Sequence, residues 1–275
     1  TSWGNTQRIT IIINDMKKTK IVATISDKRC EVEFLEKLYR AGMNVVRLNT
    51  AHQDMEQALK VVENVRKVSD NIAILIDTKG PEVRTMLMDE PMHVDRGETV
   101  YLTGDPELKM DGKLIHVSYP YFAEDIKVGD KVLVDDGDVE LIVVEKKDHY
   151  LKMMVTNEAV IKNRKSVNVP GASLKLKSLS DKDRAFIDFA IDNNLDFIAH
   201  SFVRNKEDVM AIQAILDARG SKIKVIAKIE NQEGVDNIDE ILDYAYGVMV
   251  ARGDLGIEIE AEKIPKIQRY IVKKC

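Results

Sequence analysis

Short β-branched segments alternate with amphipathic helical segments along most of the chain, and this alternation limits the possible folds more than any other feature. Strand, helix and strand joined by short connections are typical of parallel βαβ units. The predicted strands are Lys20–Ile25, Asn44–Asn49, Ile72–Ile76, Phe197–Phe202, Lys224–Ile229 and Gly247–Ala251. Six such units are two fewer than the eight that close a (β/α)₈ barrel. We therefore predict an α/β fold of the (β/α)₈ TIM-barrel type that is incomplete in this chain.

Helical periodicity between these strands predicts where the connecting helices lie. The first helix carries Leu35 and Leu38 on an apolar face and ends near Gly42. Ser180, with Asp183 three residues later, is a suitable N-cap for the helix that follows it. Further helices are predicted at Met55–Val68, Asn205–Gly220 and Val235–Tyr244, and from about Glu262 onward.

The alternation stops between about residues 85 and 174. Glycine and proline separate short predicted strands there, and no helical pattern lies between them. The predicted strands of this region are Thr99–Leu102, Leu114–Val117, Lys131–Val134, Val139–Val144 and Lys152–Thr156. Strands without intervening helices indicate a small β-barrel or sandwich inserted into the α/β domain. The predicted organisation is an unassigned N-terminal extension at 1–17, a partial (β/α)₈ barrel at 18–84 and 175–275, and an inserted β-barrel domain at 85–174.

Composition and charge indicate a globular protein and argue against nucleic-acid and membrane partners. Hydrophobic residues make up 44% of the chain and charged residues 32%, which is ordinary for a globular protein in solution. The net charge is −5 with both signs interspersed, so we expect neither nucleic acid nor an anionic membrane as a partner. No apolar run approaches the roughly 20 residues that span a bilayer. The two cysteines, Cys30 and Cys275, are far apart in sequence, which favours reduced thiols in a cytoplasmic protein.

Charged or glycine-rich residues cluster at the carboxyl ends of four predicted strands. Parallel α/β folds bind ligands at this edge of the sheet. A single lysine and glutamate at a strand end is more often a solvated ion pair, but four such corners in one chain indicate a binding site. The corners are residues 47–52, 76–84, 227–231 and 251–256.

Two of these corners predict a metal site beside a cation. The strand period of two places Lys228 and Glu230 on one face, and Asp254 can approach Glu230 from the neighbouring strand end. Two carboxylates at an open site suit Mg²⁺ that shares its coordination with substrate and water. Lys228 would then be a point charge directed at a developing phosphoryl group.

Two further features add to this hypothesis. Arg47 and Asn49 share one face of the second strand, which supplies another cation and a carbonyl oxygen. Gly253 permits close approach of the backbone to a ligand, and the N–H groups after it suit a carboxylate or phosphate.

These corners closely resemble the pyruvate kinase family. The resemblance extends from about Lys18 to the end of the chain, and its most specific parts are Val250–Gly256 and Lys228–Asn231. The other matching stretches are Thr19–Ile25, Met43–Asn49, Asp77–Arg84 and Val167–Gly171.

The resemblance implies an activity and a set of partners. The activity would be transfer of a phosphoryl group from phosphoenolpyruvate to ADP, which gives pyruvate and ATP in the last step of glycolysis. The implied cofactors are Mg²⁺ (or Mn²⁺) and K⁺. The implied full-length enzyme is a cytoplasmic homotetramer, and its region 85–174 would be the B domain, a lid that closes over the nucleotide and excludes water.

The resemblance also implies residue roles. It assigns Lys228 and Arg47 to catalysis, and Glu230 and Asp254 to Mg²⁺. The residues similar to the family's K⁺ ligands are Asn49, Asp77 and Thr78. Substrate binding would involve Arg47, Lys228, Ala251, Arg252, Gly253 and Asp254. Nucleotide binding would involve His52 and Arg84.

The chain departs from the family pattern at several points. Ala51 stands where the family has a serine whose hydroxyl binds K⁺, although Glu82 matches the K⁺-requiring form. Ser26–Lys28 replaces a Gly-Pro found in many members. The chain stops before the seventh strand, which in the family carries a threonine near the enolate carbon. We therefore expect residues 1–275 alone to lack pyruvate kinase activity.

Two other interpretations stay open. A Mg²⁺-dependent aldolase or lyase that acts on pyruvate enolate uses a similar barrel, but it needs no nucleotide lid, so the β region at 85–174 argues against it. A catalytically inactive fragment that serves as a binding module is the second alternative, and the missing units favour it.

Overall fold

A computed structural model describes residues 18–275, so the predicted N-terminal extension at 1–17 lies outside the described residues. The chain forms two compact units. The first unit consists of residues up to Thr78 together with Ala185–Ile198, and the second consists of Lys79–Arg184 with Ala199–Cys275. Helix α4 (Asp181–Asp192) and strand β13 (Phe197–His200) each cross the boundary between the two ranges.

The first unit has the predicted alternation of strands and helices. Its elements are β1 (Ile21–Thr24), α1 (Val32–Arg40), β2 (Met43–Asn49), α2 (Met55–Val68) and β3 (Ala73–Asp77). Strand β2 pairs in parallel with both β1 and β3. Helix α2 begins at a capping box, in which the Asp54 carboxylate accepts from the Gln57 backbone N–H and the Gln57 side chain accepts from the Asp54 N–H.

The alternation within β2 orients the site residues of this unit. Val46 and Leu48 are fully buried, whereas Arg47 and Asn49 are partly exposed on the other face. The register pairs Thr24 with Arg47 and Asn49 with Asp77. The ends of β2 and β3 therefore carry polar side chains at neighbouring positions, as the sequence predicts, and Thr24 at the end of β1 adds a third that the sequence does not predict.

Between residues 85 and 168 the second unit is all-β apart from one short helix. The elements are β4 (Thr85–Met86), β5 (Met92–Val94), β6 (Thr99–Thr103), β7 (Leu114–Val117), α3 (Phe122–Asp125), β8 (Lys131–Val134), β9 (Val139–Lys146), β10 (Leu151–Val155), β11 (Ala159–Ile161) and β12 (Val167–Asn168). Seven of these strands form one sheet in the order β12-β8-β9-β10-β6-β7-β4, and β11 pairs with β5. The pairings in these sheets are antiparallel except for that of β6 with β7.

This region has an apolar core of its own. Fully buried residues from several strands form one cluster, among them Val100, Leu102, Ile115, Leu141 and Leu151. The longer strands lie where the alternation of apolar and polar residues predicts them. Strands β4, β5, β11 and β12 are not predicted from the sequence, because two or three residues are too few to show a period of two.

Residues 199–275 of the second unit return to alternating helices and strands. The elements are α5 (Lys206–Ala218), β14 (Lys224–Ile229), α6 (Gln232–Asp236), α7 (Ile238–Tyr244), β15 (Gly247–Val250), α8 (Arg252–Glu258) and α9 (Ile264–Lys274). Strands β14 and β15 are parallel, and Lys228 is paired with Met249.

Three sequence predictions need correction in this part of the chain. Val235–Tyr244 is not one helix, because Asn231 caps an earlier helix, α6, and Asn237 separates it from α7. Residues 252–256, which the sequence places between the sixth strand and a helix from about Glu262, form the first part of α8. Strand β13 ends at His200 rather than Phe202, since Phe202 adopts a positive φ of 56° that an extended strand does not accommodate.

None of the helices between residues 18 and 275 combines the length and the apolar character needed to cross a membrane.

Candidate active site

In the first unit, Arg47 and Asp77 form an ion pair between adjacent strand ends. Arg47 Nε donates to Asp77 Oδ2 at 2.6 Å, and Arg47 Nη1 donates to Thr24 Oγ1 at 2.9 Å. Asp77 is almost completely buried, with 1% of its surface exposed. The arginine that the resemblance assigns to catalysis and a carboxylate that it assigns to K⁺ are therefore partners in this structure.

The turn after β2 folds over the end of β3. Thr50 donates to the Asp77 carbonyl through both its backbone N–H (3.1 Å) and its hydroxyl (2.8 Å). Asn49 Oδ1 accepts from the Ala51 N–H at 3.1 Å, and the Asn49 carbonyl accepts from the His52 N–H at 3.2 Å. These bonds hold Asn49 beside Asp77, whereas the side chain of His52 is exposed. Thr50 is a structural member of this corner that the sequence does not single out.

Thr78 is buried directly after the end of β3, at the last position of the first of the two segments that form this unit. Asn49, Asp77 and Thr78 all carry oxygen atoms, the donor type that alkali and alkaline-earth cations prefer. The chemistry of these residues therefore suits a monovalent cation.

In the second unit, Lys228 and Glu230 form a buried ion pair at the end of β14. Lys228 Nζ lies 2.8 Å from Glu230 Oε1, and both side chains are more than nine-tenths buried. Lys228 Nζ also donates to Ser201 Oγ at 2.8 Å, while the Phe202 N–H donates to Glu230 Oε2 at 2.7 Å. The period-two prediction that Lys228 and Glu230 share a face is confirmed by this pair.

Asp254 lies in the first turn of α8, and its charge acts on Glu230. Burial raises the pKa of the Glu230 carboxyl, Lys228 lowers it, and the negative charge of Asp254 raises it again. Two mutually repelling carboxylates, one of them buried, are stabilised by a cation between them. Both supply oxygen ligands, so these residues fit Mg²⁺. Among residues 18–275 no three or more histidine, cysteine or acidic side chains form a metal-binding group.

The residues predicted to bind substrate beside Asp254 lie at the start of α8. Ala251 precedes the helix, and its N–H donates to the Ile229 carbonyl at 3.4 Å. Arg252 and Gly253 are exposed. A Cβ atom on Gly253 would have no neighbour within 4 Å, so the fold itself does not require glycine here. The open space in front of Gly253 remains available to a ligand.

Arg84 lies where the chain enters the β region. Its Nε and Nη2 atoms donate to the Glu82 carboxylate at 2.9 and 2.8 Å, and Nη1 donates to the Arg164 carbonyl at 2.7 Å. These bonds connect the chain entering the β region with the chain leaving it. The family resemblance assigns Arg84 to the nucleotide, and in this structure its partners are Glu82 and the backbone of Arg164.

A cavity of about 420 Å³ opens within the second unit. Its lining residues come from the entry and exit of the β region, from the turn after β13, and from helices α6 and α8, which follow β14 and β15. They include Glu82, Phe202, Arg204, Glu233, Asp254 and Glu258. A concave site with a few charged groups at strand ends is typical of a ligand pocket.

Arg204 fixes one wall of this cavity and is not predicted from the sequence. Its Nη1 and Nη2 atoms donate to the carbonyls of Leu174 and Leu176 at 2.9 and 3.0 Å. Asp208 holds the guanidinium in place through two bonds of 3.0 Å. The spacing of Arg204 and Asp208 gives no signal for this role, because the carbonyls that Arg204 contacts lie about 30 residues earlier in the chain.

Glu258 is a second cavity residue that the sequence does not identify. Burial raises the pKa of its carboxyl to about 7, the Gln232 N–H lowers it by donating a hydrogen bond, and the charge of Glu233 raises it. The unfolded chain should bind this proton with a pKa near 4.5. The folded protein therefore holds more protons between pH 4.5 and 7, and the contribution of Glu258 to stability falls as the pH rises through that range.

We expect Glu258→Gln to reduce this pH dependence. A neutral amide cannot ionise. When the pH is raised from 5 to 8, the free energy of unfolding of the native protein should therefore fall relative to that of the variant, by at most about 3 kcal/mol. Denaturant unfolding at both pH values measures the difference. Exposed Glu262 provides the control, because Glu262→Gln should give a curve parallel to that of the native protein. A parallel curve for Glu258→Gln would contradict the raised pKa.

Comparisons with known proteins show which family, which relatives and which solved structure this chain is similar to. Residues 16–275 match the family described as pyruvate kinase, barrel domain. A pyruvate kinase from Borreliella burgdorferi is 51% identical over 260 residues, which cover 94% of this chain and 54% of that protein. A pyruvate kinase from Geobacillus stearothermophilus is 46% identical over 267 residues, which cover 94% of this chain and 45% of that protein. The crystal structure of a pyruvate kinase from Cryptosporidium parvum superposes with a TM-score of 0.90 at 39% identity, covering 94% of this chain and 55% of that one. The chain spans about half the length of the curated relatives that it matches.

Proposed function

Because the chain belongs to the pyruvate kinase family, we propose that the complete gene product transfers a phosphoryl group from phosphoenolpyruvate to ADP and so forms pyruvate and ATP. The observation that carries this proposal is the buried pair of Lys228 and Glu230 with Asp254 acting on it. Phosphoryl transfer depends mainly on positioning and on electrostatic stabilisation, and a buried ammonium beside two carboxylates supplies both.

Lys228 is proposed as a catalytic residue. Its ammonium is fixed by Ser201 and Glu230 before any ligand binds, so little reorganisation is needed when charge develops on the transferring phosphoryl group. Arg47 is also proposed as a catalytic residue, a cation that would contact the transferring phosphate. Arg47 would have to share or leave the Asp77 carboxylate to do so.

Glu230 and Asp254 are proposed to hold Mg²⁺, or Mn²⁺ in its place. The bound ion would polarise the phosphate and carboxylate oxygens of phosphoenolpyruvate. Ala251, Arg252 and Gly253 would contact the same substrate from the start of α8, where the space before Gly253 is open. A divalent ion on Glu230 would also offset the cost of burying that carboxylate.

K⁺ is proposed to bind Asn49, Asp77 and Thr78. Ala51, whose N–H donates to Asn49 Oδ1, lacks the hydroxyl that the family normally provides at this corner. The site therefore has one protein ligand fewer, and water would take its place.

We expect Ala51→Ser to lower the K⁺ concentration that gives half-maximal rate, by about two- to tenfold, because a fixed hydroxyl replaces a mobile water. A K⁺ titration of the rate in the complete gene product measures the shift. Ala41→Ser, at an exposed helix end, is the matched control and should leave the titration unchanged. An identical K⁺ titration for Ala51→Ser and the native enzyme would count against this ligand assignment.

Region 85–174 is proposed to be a lid over the nucleotide, with His52 and Arg84 near the bound ADP. Its separate sheets and its own apolar core support this proposal. An aldolase or lyase of similar fold has no need of such a lid, which makes phosphoryl transfer the better hypothesis. We further propose a cytoplasmic homotetramer that acts in glycolysis, by analogy with the family.

The test is a coupled assay of the complete gene product with phosphoenolpyruvate, ADP, Mg²⁺ and K⁺. Formation of ATP and pyruvate in equal amounts, dependent on both cations, is the expected result. Substrate binding without turnover would favour the binding-module alternative, and release of pyruvate enolate from a larger acid without ADP would favour the lyase.

A further inference from the structure

Three consecutive residues after β13 each contact the Lys228–Glu230 pair. Ser201 Oγ accepts from the Lys228 ammonium at 2.8 Å, and the Phe202 N–H donates to Glu230 Oε2 at 2.7 Å. The Val203 N–H donates to the Lys228 carbonyl at 3.3 Å. These residues form the Ser201–Val203 turn, and together their bonds reach both ends of the ion pair and the backbone that carries it.

The backbone of this turn is strained. Phe202 has a φ of 56°, in the left-handed region that residues with bulky side chains rarely adopt. The positive φ redirects the chain between two consecutive N–H groups, so that the Phe202 N–H bonds to Glu230 while the Val203 N–H bonds to the Lys228 carbonyl. Strain of this kind persists only where the surrounding structure enforces it.

Gly80 is part of the surrounding structure that enforces it. A Cβ atom on Gly80 would lie 2.8 Å from Ser201 Cβ and 2.9 Å from Phe202 Cδ2, closer than such atoms approach in proteins. Gly80 itself has a φ of 71°, which also favours glycine. The turn therefore packs directly on the Gly80 backbone, and any side chain there would displace it.

From these contacts we infer that the Ser201–Val203 turn positions the catalytic pair, with Ser201 as a positioning residue for Lys228 and the Phe202 N–H as one for Glu230. The inference rests on the proposed function, because it assigns a role in that reaction. Ser201 shares the ammonium with Glu230, so Lys228 does not depend on the proposed metal ligand alone for its orientation. The Phe202 N–H fixes the second oxygen of that ligand.

Ser201→Ala and Ser201→Cys test the role of the hydroxyl in the complete gene product. Both variants remove the strong acceptor, and cysteine keeps nearly the original volume. We expect kcat to fall by about tenfold to a hundredfold in both, while KM for phosphoenolpyruvate stays within about threefold. A kcat within twofold of native in Ser201→Cys would show that only packing matters and would overturn the role of the hydroxyl. Thermal unfolding of each variant establishes that it is folded.

Gly80→Ala tests the turn by a second route, with Gly97→Ala as its matched control. Both glycines have positive φ, 71° and 84°, but a Cβ on Gly97 would meet nothing within 4 Å. We expect Gly80→Ala to weaken Mn²⁺ binding by about tenfold to a hundredfold, because it moves the donor that orients Glu230. Gly97→Ala should bind Mn²⁺ as the native protein does. Equal Mn²⁺ affinity in the two variants would overturn the role of Phe202.

The Mn²⁺ titration separates this inference from the proposed function. If the native protein forms no ATP, the proposed function fails, yet a weaker affinity in Gly80→Ala than in Gly97→Ala would still support the role of the turn in orienting Glu230. If the native protein forms ATP and the Ser201 variants retain native kcat, the positioning role of Ser201 fails and the proposed function stands.

Discussion

Replacing Lys228 with methionine is expected to lower kcat for ATP formation by about 10³-fold or more in the complete gene product. The ammonium is buried against Ser201 and Glu230, where the local dielectric is low and a charge interacts strongly with a developing phosphoryl charge. Methionine retains most of the apolar stem but carries no charge. Because the lost interaction is strongest in the transition state, KM for phosphoenolpyruvate should change little.

Steady-state kinetics and a direct binding measurement with phosphoenolpyruvate test this expectation together. Lys37→Met is a suitable control, since Lys37 forms an exposed pair with Glu33 one helical turn away and such pairs contribute little. The control should keep native kcat. A Lys228→Met enzyme with near-native kcat would remove Lys228 from the mechanism. A large rise in KM with unchanged kcat would instead make it a binding residue.

Glu230→Gln is expected to give the second largest effect. The amide has the shape of the carboxylate but no charge, so Mg²⁺ affinity should fall by about 10²-fold or more, and kcat at a fixed Mg²⁺ concentration should fall with it. The substitution also leaves Lys228 without its carboxylate partner at 2.8 Å. Breaking a buried pair from one side costs about 3–5 kcal/mol, so a lower unfolding temperature should accompany the kinetic loss.

Calorimetric titration with Mg²⁺ measures the first effect and thermal unfolding the second. Glu207→Gln provides the control, because Glu207 is an exposed residue in the same compact unit and should retain native Mg²⁺ affinity. Saturating Mg²⁺ should restore part of the Glu230→Gln rate if weak metal binding is the cause. Native Mg²⁺ affinity in Glu230→Gln would show that the metal binds elsewhere.

Local sequence periodicity predicts much of the secondary structure. Helix Met55–Val68 and strands Leu114–Val117, Lys131–Val134 and Lys224–Ile229 have the predicted bounds, because each contains enough residues to reveal a period of 3.6 or 2. The same period of two correctly places Lys228 and Glu230 on one face at the end of β14. Where a short-range signal decides the structure, the sequence is sufficient.

Motif resemblance identifies the family and the roles of single residues, which periodicity does not, but it does not show how side chains are paired. It identifies the family, and the matching family and relatives confirm it. It assigns roles to residues one at a time, and so it does not show that Arg47 is paired with Asp77 or that Arg84 is held by Glu82. The path of the backbone around each strand end decides which side chains become partners.

The tertiary structure alone decides the surroundings of the site. Ser201 lies 27 positions from Lys228, and Arg204 lies 30 positions from the carbonyl of Leu174, so no spacing rule connects either residue with its partner. The raised pKa of Glu258 likewise depends on burial, which a sequence does not specify for a single acidic residue. Sequence determines which residues carry the chemistry because local periodicity and motif identity are properties of neighbouring positions. Which groups orient and desolvate those residues is decided by strand register and loop path, which bring distant positions together only in the folded chain.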